Sequence, residues 1–528
     1  MTQFQRCFVF VLIAVVLALS LRVPKLQMRP MHTDEAVHAM KFGQLLEQNS
    51  YTYNPQEYHG PTLNFLTLIP AWLSSQHEIS EVNEFTLRIV PVISGVLLII
   101  LMLLLFDGLG PMAVGFAAVL IAVSPAFVFY SRYYIQEMLL ACFTFGIIAC
   151  GYRYLKSQHL IWALLTGLFI GLAHATKETC IIVFSAIIFS FILVLLFHRK
   201  SLFPLETINK KKIYFHGFCC LITGLLISVL FYSSFFTNPQ GILDSFTTYA
   251  SYFHKASTGH THIHPWYYYL KMLTRFQVDV GPVWSEAFVI ILALFGFLYL
   301  FSKKYMRPFD VLLVRFIALY TLIMTLIYAA IPYKTPWLML GFYHGMILMA
   351  AVGMVIFNKM AINVWRKVFI RVTISIGIIF LCFQSYIANF HVYTDPIYPY
   401  AYAHTSIDVF TITDKIKKAA ASHPEKQNIY IQIIFPNHNY WPLPWYLRDF
   451  KYVAYQNKVD PELYPAPLII SSPELESELV KKLYDYPSPG NKDLYMPFFL
   501  ERLQLRPGVP VIGFIEKDLN ESVQEHSP

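Results

Sequence analysis

The chain has 528 residues, of which 56% are hydrophobic and only 14% charged. A soluble domain carries roughly 25% charged residues, and a single soluble core stops growing near ~250–300 residues, so this composition excludes one ordinary soluble globule and points to a chain lying largely in a membrane. The net charge of +8 is no nucleic-acid footprint, because the excess sits in short loops between apolar segments.

Eleven apolar segments follow one another, at roughly 6–23, 86–106, 112–130, 137–152, 159–175, 179–197, 213–236, 285–302, 310–330, 337–357 and 372–389. Most approach the ~20 residues that a helix needs to cross a ~30 Å hydrocarbon layer. The shortest are 137–152 and 159–175. Arg6 ahead of the first segment imitates a secretory signal, but Leu21-Arg22-Val23-Pro24 is a poor cleavage site, so the segment reads as a retained first helix. All seven cysteines lie in or at the ends of apolar segments, which leaves no disulfide framework and no cysteine metal site. Residues 390–528 carry 13 Lys and Arg against 17 Asp and Glu, so the membrane part, 1–389, holds the positive excess. That excess falls mostly in the turns 153–158, 198–212, 303–309 and 358–371, and positive short loops mark the cytoplasmic side. The N-terminus is therefore expected inside, and the tail outside, a cell inner (plasma) membrane.

The outer loops hold the unusual polar clusters. The first, 24–85, contains His32-Thr33-Asp34-Glu35-Ala36-Val37-His38 and Tyr58-His59-Gly60-Pro61. Its 34–48 stretch has helical spacing, with Thr33 or Asp34 as the expected N-cap. Asp34 and Glu35 fit two readings, acids favoured at a helix N-terminus or a carboxylate general base at the membrane surface. Ser131-Arg132-Tyr133-Tyr134-Ile135-Gln136-Glu137 opens the next outer-facing helix end. Glu137 lies at a depth where an ionisable group is costly, as an anchor or as a functional group. Lys177 and Glu178 share a tight turn and read first as a structural ion pair. His260, His262 and His264 alternate, so in an extended strand they face one side. There they could ligate a metal, bind a phosphate when protonated, or simply form an interfacial loop in an aromatic belt. Lys334, between Pro332 and Pro336, can clamp a lipid phosphate or snorkel to headgroups. The helix interiors are almost free of charge, whereas a transporter would spread ionisable groups through mid-membrane.

Residues 390–528 change composition and read as a small extracytoplasmic α/β domain. Apolar runs at 429–435, 452–455, 467–471 and 509–515 suggest buried strands, and 406–421, 441–448 and 473–484 suggest helices. There is no GxGxxG and no P-loop, so no nucleotide site is indicated.

In this order the motifs resemble the membrane glycosyltransferases of the C-type (GT-C) fold, in the family 39-like group of protein O-mannosyltransferases and aminoarabinose transferases. Within that group the chain is similar to the subfamily labelled flippase-activity-associated. The resemblance rests on His32-Thr33-Asp34-Glu35-Ala36, Tyr58-His59-Gly60-Pro61, His264-Pro265-Trp266-Tyr267-Tyr268, Tyr333-Lys334-Thr335-Pro336-Trp337 and Trp445-Tyr446-Leu447-Arg448. It runs through most of the chain, and the order of the motifs is the specific part.

The resemblance implies a GT-C-like bundle of about eleven transmembrane helices. It also implies inverting transfer of a sugar from a polyprenyl-phosphate donor to a protein, lipid or glycan acceptor. Asp34 would be the general base, with Glu35 supporting it and Glu137 as the second acidic position. His59 falls where some relatives place a Lys on the donor phosphate, a departure that Arg132, Lys177 or Lys334 would have to offset. Tyr58, Tyr133, His264 and Trp266 become candidate sugar contacts. No cofactor is certain; a divalent metal ion is a candidate, with His262, His264 and Asp34 as ligands. The competing classes are a flippase or transporter for a lipid-linked sugar and an assembly scaffold.

Overall fold

A computed structural model of the chain describes residues 2–56, 59–197, 210–258, 262–275, 284–485 and 494–525. The membrane part begins with α1 (Gln3–Arg22), α2 (Thr33–Gln48), α3 (Thr62–Leu73), α4 (Glu84–Leu101), α5 (Phe106–Val123) and α6 (Pro125–Ser131). It continues with α7 (Glu137–Ser157), α8 (Leu160–His174), α9 (Cys180–Phe197) and α10 (Lys210–Tyr232). Further helices span Gln240–Thr258, Ala287–Leu298, Val311–Ala330, Leu340–Met360 and Val364–Phe390.

All eleven apolar segments are helical, yet among the described residues eight helices are long and apolar enough to cross a membrane. Two causes reduce the expected eleven. The segments at 86–106 and 112–130 join in one 40-residue stretch, Glu84–Val123, broken only where Gly110 turns to φ +79°. Leu160–His174 and Ala287–Leu298 are short, at 15 and 12 residues.

Two arginines knit neighbouring helix ends of the bundle. A helix leaves its last carbonyls without intrahelical donors. Arg22 donates to the Ile121 and Ala122 carbonyls near the end of α5, each at 2.8 Å, and to Ser131 Oγ at 3.0 Å. Arg132 donates to the carbonyls of Arg22 and Pro24 at 2.7 Å and of Lys25 at 3.0 Å, closing the end of α1.

The tail folds around one sheet with strands β1 (Ile431–Ile434), β2 (Val453–Gln456), β3 (Leu468–Ser471), β4 (Tyr495–Pro497), β5 (Leu503–Arg506) and β6 (Val509–Glu516). The order is β2-β1-β3-β6-β4, with β5 on β6. β1 is parallel to β2 and β3, and β6 runs antiparallel to β3. The four expected strands are present. β4 and β5 were not expected, because neither is a continuous apolar run. The helix expected at 441–448 is a single turn, Leu443–Tyr446, with prolines at 442 and 444.

This domain sits on the loop 24–85. The Met31 N–H donates to Tyr446 Oη at 2.8 Å, and Thr405 Oγ1 donates to the Met31 carbonyl at 2.7 Å. Trp445 Nε1 donates to Glu84 at 2.9 Å, and Arg448 reaches the Ile79 and Val82 carbonyls at 3.1 and 2.8 Å.

Candidate active site

The start of α2 fixes the direction of its two acids. His32, in extended conformation, is the N-cap, in place of the expected Thr33 or Asp34. Its Nδ1 accepts the Asp34 N–H at 3.1 Å, and its own N–H donates to Glu35 Oε2 at 3.0 Å. Successive helix residues point about 100° apart, so one acid turns inward and the next outward.

Glu35 turns inward and is fully buried. Arg88 of α4 donates to it from Nε at 2.8 Å and Nη2 at 2.9 Å, and the Tyr134 N–H adds a third bond at 2.8 Å. Burial alone would raise its pKa, but Arg88 and Arg29 outweigh that and hold it at about 2. Glu35 is thus engaged on both carboxylate oxygens. Its carboxylate locks the loop to α4 and to the turn before α7.

Asp34 turns outward, and its side chain is 45% exposed. His32 Nδ1 lies 3.8 Å from its carboxylate, but that nitrogen already accepts an N–H and so carries no proton. Burial also pushes the His32 pKa down. The charge of Asp34 is felt by His38, His262, Tyr333 and Arg506.

Beside Asp34 lies a second group of charges. Glu137, at the start of α7, receives a short hydrogen bond from Lys177 in the α8–α9 turn, and both side chains are buried. Glu178 pairs with His59 Nδ1 at 2.9 Å and accepts from Tyr53 Oη at 3.4 Å. Burial opposes ionisation of Glu178, yet His59 and Lys177 hold its pKa at about 2. His59 reaches this turn because Gly60 lets the two chains touch: a Cβ there would lie 2.2 Å from the Ala175 carbonyl oxygen. That oxygen accepts from Thr62 N–H at 3.1 Å and Thr62 Oγ1 at 2.6 Å. His38 closes the gap between the groups, with its ring 6.1 Å from that of His59 and its Nδ1 3.5 Å from Gln136 Nε2. Burial and the nearby His59 push its pKa down to about 3, so it is neutral.

Below Glu137 a narrow apolar crevice is lined by Leu140, Thr144, Val183, Met324, Tyr328 and Trp337. Leu140 and Thr144 lie three and seven residues along α7 from Glu137, so the crevice follows the helix inward from the charged end.

Residues 262–264 run alongside 332–334 through a single antiparallel bridge, Ile263 to Tyr333, with His262 at φ +59° and not in the expected extended strand. The Lys334 N–H donates to the His262 carbonyl at 2.9 Å and the His264 N–H to the Pro332 carbonyl at 3.1 Å. The Lys334 ammonium donates to the Ile331 carbonyl and, among the described residues, pairs with no carboxylate.

Other expected site residues lie elsewhere. His262 and His264 converge on Tyr402 Oη, at 2.6 and 3.4 Å, and not on Asp34. Among the described residues no three His, Cys, Asp or Glu side chains gather in a metal-ligating group, against the expected His262, His264 and Asp34 set. Arg132 turns its Nη1 and Nη2 groups to the carbonyls that end α1. Tyr133 is buried against Arg29, His32 and Trp337, which removes it from sugar contact. Trp266 is 67% exposed and its ring packs on Tyr267, outside the cluster. Tyr58 lies outside the described residues, as does His260. Arg88, His38 and Arg506 were not singled out from the sequence. They are single polar residues in unremarkable surroundings, and only their long-range partners give them meaning.

Residues 67–232 match the family model for dolichyl-phosphate-mannose-protein mannosyltransferases. Among solved structures the chain is similar to ArnT from Cupriavidus metallidurans bound to undecaprenyl phosphate, with 13% identity and TM-score 0.60 over 96% of this chain and 97% of that one. It is also similar to the oligosaccharyltransferase AglB from Archaeoglobus fulgidus in complex with an inhibitory peptide and a dolichol-phosphate. There the identity is 13% and the TM-score 0.57, over 90% of this chain and 70% of that one. A comparison with curated protein sequences found no match.

Proposed function

We propose that this chain, a multi-pass GT-C-fold glycosyltransferase of the protein O-mannosyltransferase and ArnT group, moves a sugar from a polyprenyl-phosphate donor to an extracytoplasmic acceptor with inversion. One observation carries the reading: Asp34 is a half-exposed carboxylate with no Lys or Arg partner among the described residues, and His38 and Tyr333 each feel its charge together with that of Lys177.

The residues then divide the work. The Asp34 carboxylate takes the proton from the acceptor nucleophile as it attacks the anomeric carbon. The bond from that carbon to the phosphate oxygen breaks, and its electron pair leaves with the polyprenyl phosphate. Inversion follows from attack on the face opposite the leaving group. Lys334, which has no carboxylate to satisfy, and Lys177 stabilise the charge that grows on the phosphate. Glu137 keeps Lys177 in place, and Glu178 does the same for His59. Polyprenyl phosphate is already a good leaving group, so a base, positioning and charge stabilisation suffice.

A resident divalent cation does not fit this donor set. Glu35 is held by Arg88, Glu137 by Lys177 and Glu178 by His59, and of the acids at this site Asp34 alone is uncommitted. The positive short loops support an N-terminus in the cytoplasm of a cell bounded by this inner membrane, with Asp34 and the tail domain on the far side.

The test is transfer from a radiolabelled polyprenyl-phosphate sugar in membranes containing wild type or Asp34→Asn. Label should pass to a new product with the wild type alone. Equal transfer by Asp34→Asn overturns the assignment of the base; movement of intact lipid-linked sugar with no new covalent product would favour a flippase.

A further inference from the structure

The outer sheet domain touches the catalytic loop beside Asp34 through one arginine. β5 turns into β6 at Gly508, which sits at φ +82° and so accepts a bend that a Cβ would resist. The β5–β6 register slips between Gln504 and Arg506, and an irregularity of this kind re-aims a side chain. Arg506 is turned toward the membrane part. Its Nη1 donates to the Trp441 carbonyl at 3.1 Å and its Nη2 to Asn439 Oδ1 at 2.6 Å, so its own domain presets the guanidinium.

From there Nη1 also donates to Thr33 Oγ1 at 3.0 Å, across 473 residues of sequence. Thr33 is the first residue of α2 and the neighbour of Asp34. Two further bonds from the same domain, from Tyr446 and Thr405, hold both polar groups of the Met31 peptide. The outer domain thus grips the chain on either side of His32, the residue whose ring caps α2 and receives the Asp34 N–H.

We propose that the outer domain is a working part of the catalytic centre, and that Arg506 is a positioning residue that holds Thr33, and through it the Asp34 carboxylate, toward the reacting sugar. This rests on the transferase reading above. Arg506 touches neither donor nor acceptor; it acts through the start of α2. Misplacing a reacting group by about 1 Å can cost on the order of 100-fold in rate, so one lost tether is enough to be seen.

The experiment uses the full-length protein in membranes, with a labelled polyprenyl-phosphate sugar as probe, at saturating and at limiting donor. Arg506→Gln should lower the saturated rate by about 10- to 100-fold while donor half-saturation stays within about 2-fold. Thr33→Val removes the same bond from the other side, without disturbing Trp441 or Asn439, and should do the same. Thr33→Ser keeps the accepting oxygen and should keep most of the rate. The Arg506→Gln/Thr33→Val double variant should be no slower than the slower single one, because both break one contact. The inference is overturned by a wild-type rate in Arg506→Gln, by losses that multiply in the double variant, or by a loss confined to a lower thermal midpoint. Asp34→Asn separates the two levels. If it transfers sugar normally, the assignment of Asp34 as the base fails, and the role of Arg506 with it. If it is inactive while Arg506→Gln is fully active, only the role of Arg506 fails.

Discussion

Neutralising the two adjacent acids of α2 should produce opposite defects. Glu35 is fully buried and accepts four hydrogen bonds, two from Arg88 and one each from the Tyr134 and His32 N–H groups. Glu35→Gln leaves the buried Arg88 guanidinium without a counter-charge and turns an amide NH2 toward groups that are themselves donors. Removing one partner of a buried pair costs about 3–5 kcal/mol. Asp34 is 45% exposed and its carboxylate is engaged by no donor closer than 3.8 Å, so Asp34→Asn should change stability by less than about 0.5 kcal/mol. Thermal unfolding in detergent micelles, followed with a thiol-reactive dye, suits this chain because Cys7, Cys142, Cys150 and Cys180 are buried free thiols. Asp34→Asn should melt with the wild type and transfer no sugar. Glu35→Gln should give less folded protein and a clearly lower midpoint. The division of labour is refuted if Glu35→Gln melts with the wild type, or if Asp34→Asn loses as much stability as Glu35→Gln does.

Three further outcomes follow from the geometry. Gly60→Ala would drive a Cβ to 2.2 Å from the Ala175 oxygen, so the loop must move and His59 must leave Glu178; transfer in membranes should fall by at least about 10-fold, and normal activity would count against that contact as a site element. Lys177→Met leaves Glu137 buried without its cation and should lower both the midpoint and the rate; adding Glu137→Gln should recover stability but not transfer, whereas recovery of transfer would remove Lys177 from the chemistry. Glu35 and Glu178 sit at about 2 in the folded protein against an ordinary value of 4.5. A folded pKa below the unfolded one gives stability that is complete above the unfolded value and lost as pH falls toward the folded one. The thermal midpoint should therefore stay level down to about pH 5 and fall between 4.5 and 2; a rise on acidification would contradict the pairing.

Much of this architecture is legible in the sequence, for a physical reason. A membrane span and a buried strand are each written in a continuous run of residues, so the apolar segments and four strands of the tail can be read locally. The helix at Thr33–Gln48 follows from spacing, and Asp34 from its place at the head of that helix. Local reading stops where a residue's role depends on a distant partner. Thr33, Asp34 and Glu35 look alike as polar residues at a helix start. Burial against Arg88, 53 residues further on, makes Glu35 structural. Arg132 reaches the carbonyls at the end of α1, and Tyr133 packs against Arg29 and Trp337, contacts that no local pattern encodes.

The sequence alone determined that the chain is a helical membrane protein with a mixed α/β tail. Those properties depend on composition and period, which need no partner to be expressed. Only the tertiary structure decided which charges are neutralised and which stay free, because an ion pair is a property of two positions and of the burial around them. It put Lys177 on Glu137, His59 on Glu178 and Arg88 on Glu35, and left Asp34 open beside them. It also brought Arg506 from near the end of the chain to Thr33 near its start, a contact that no local pattern encodes.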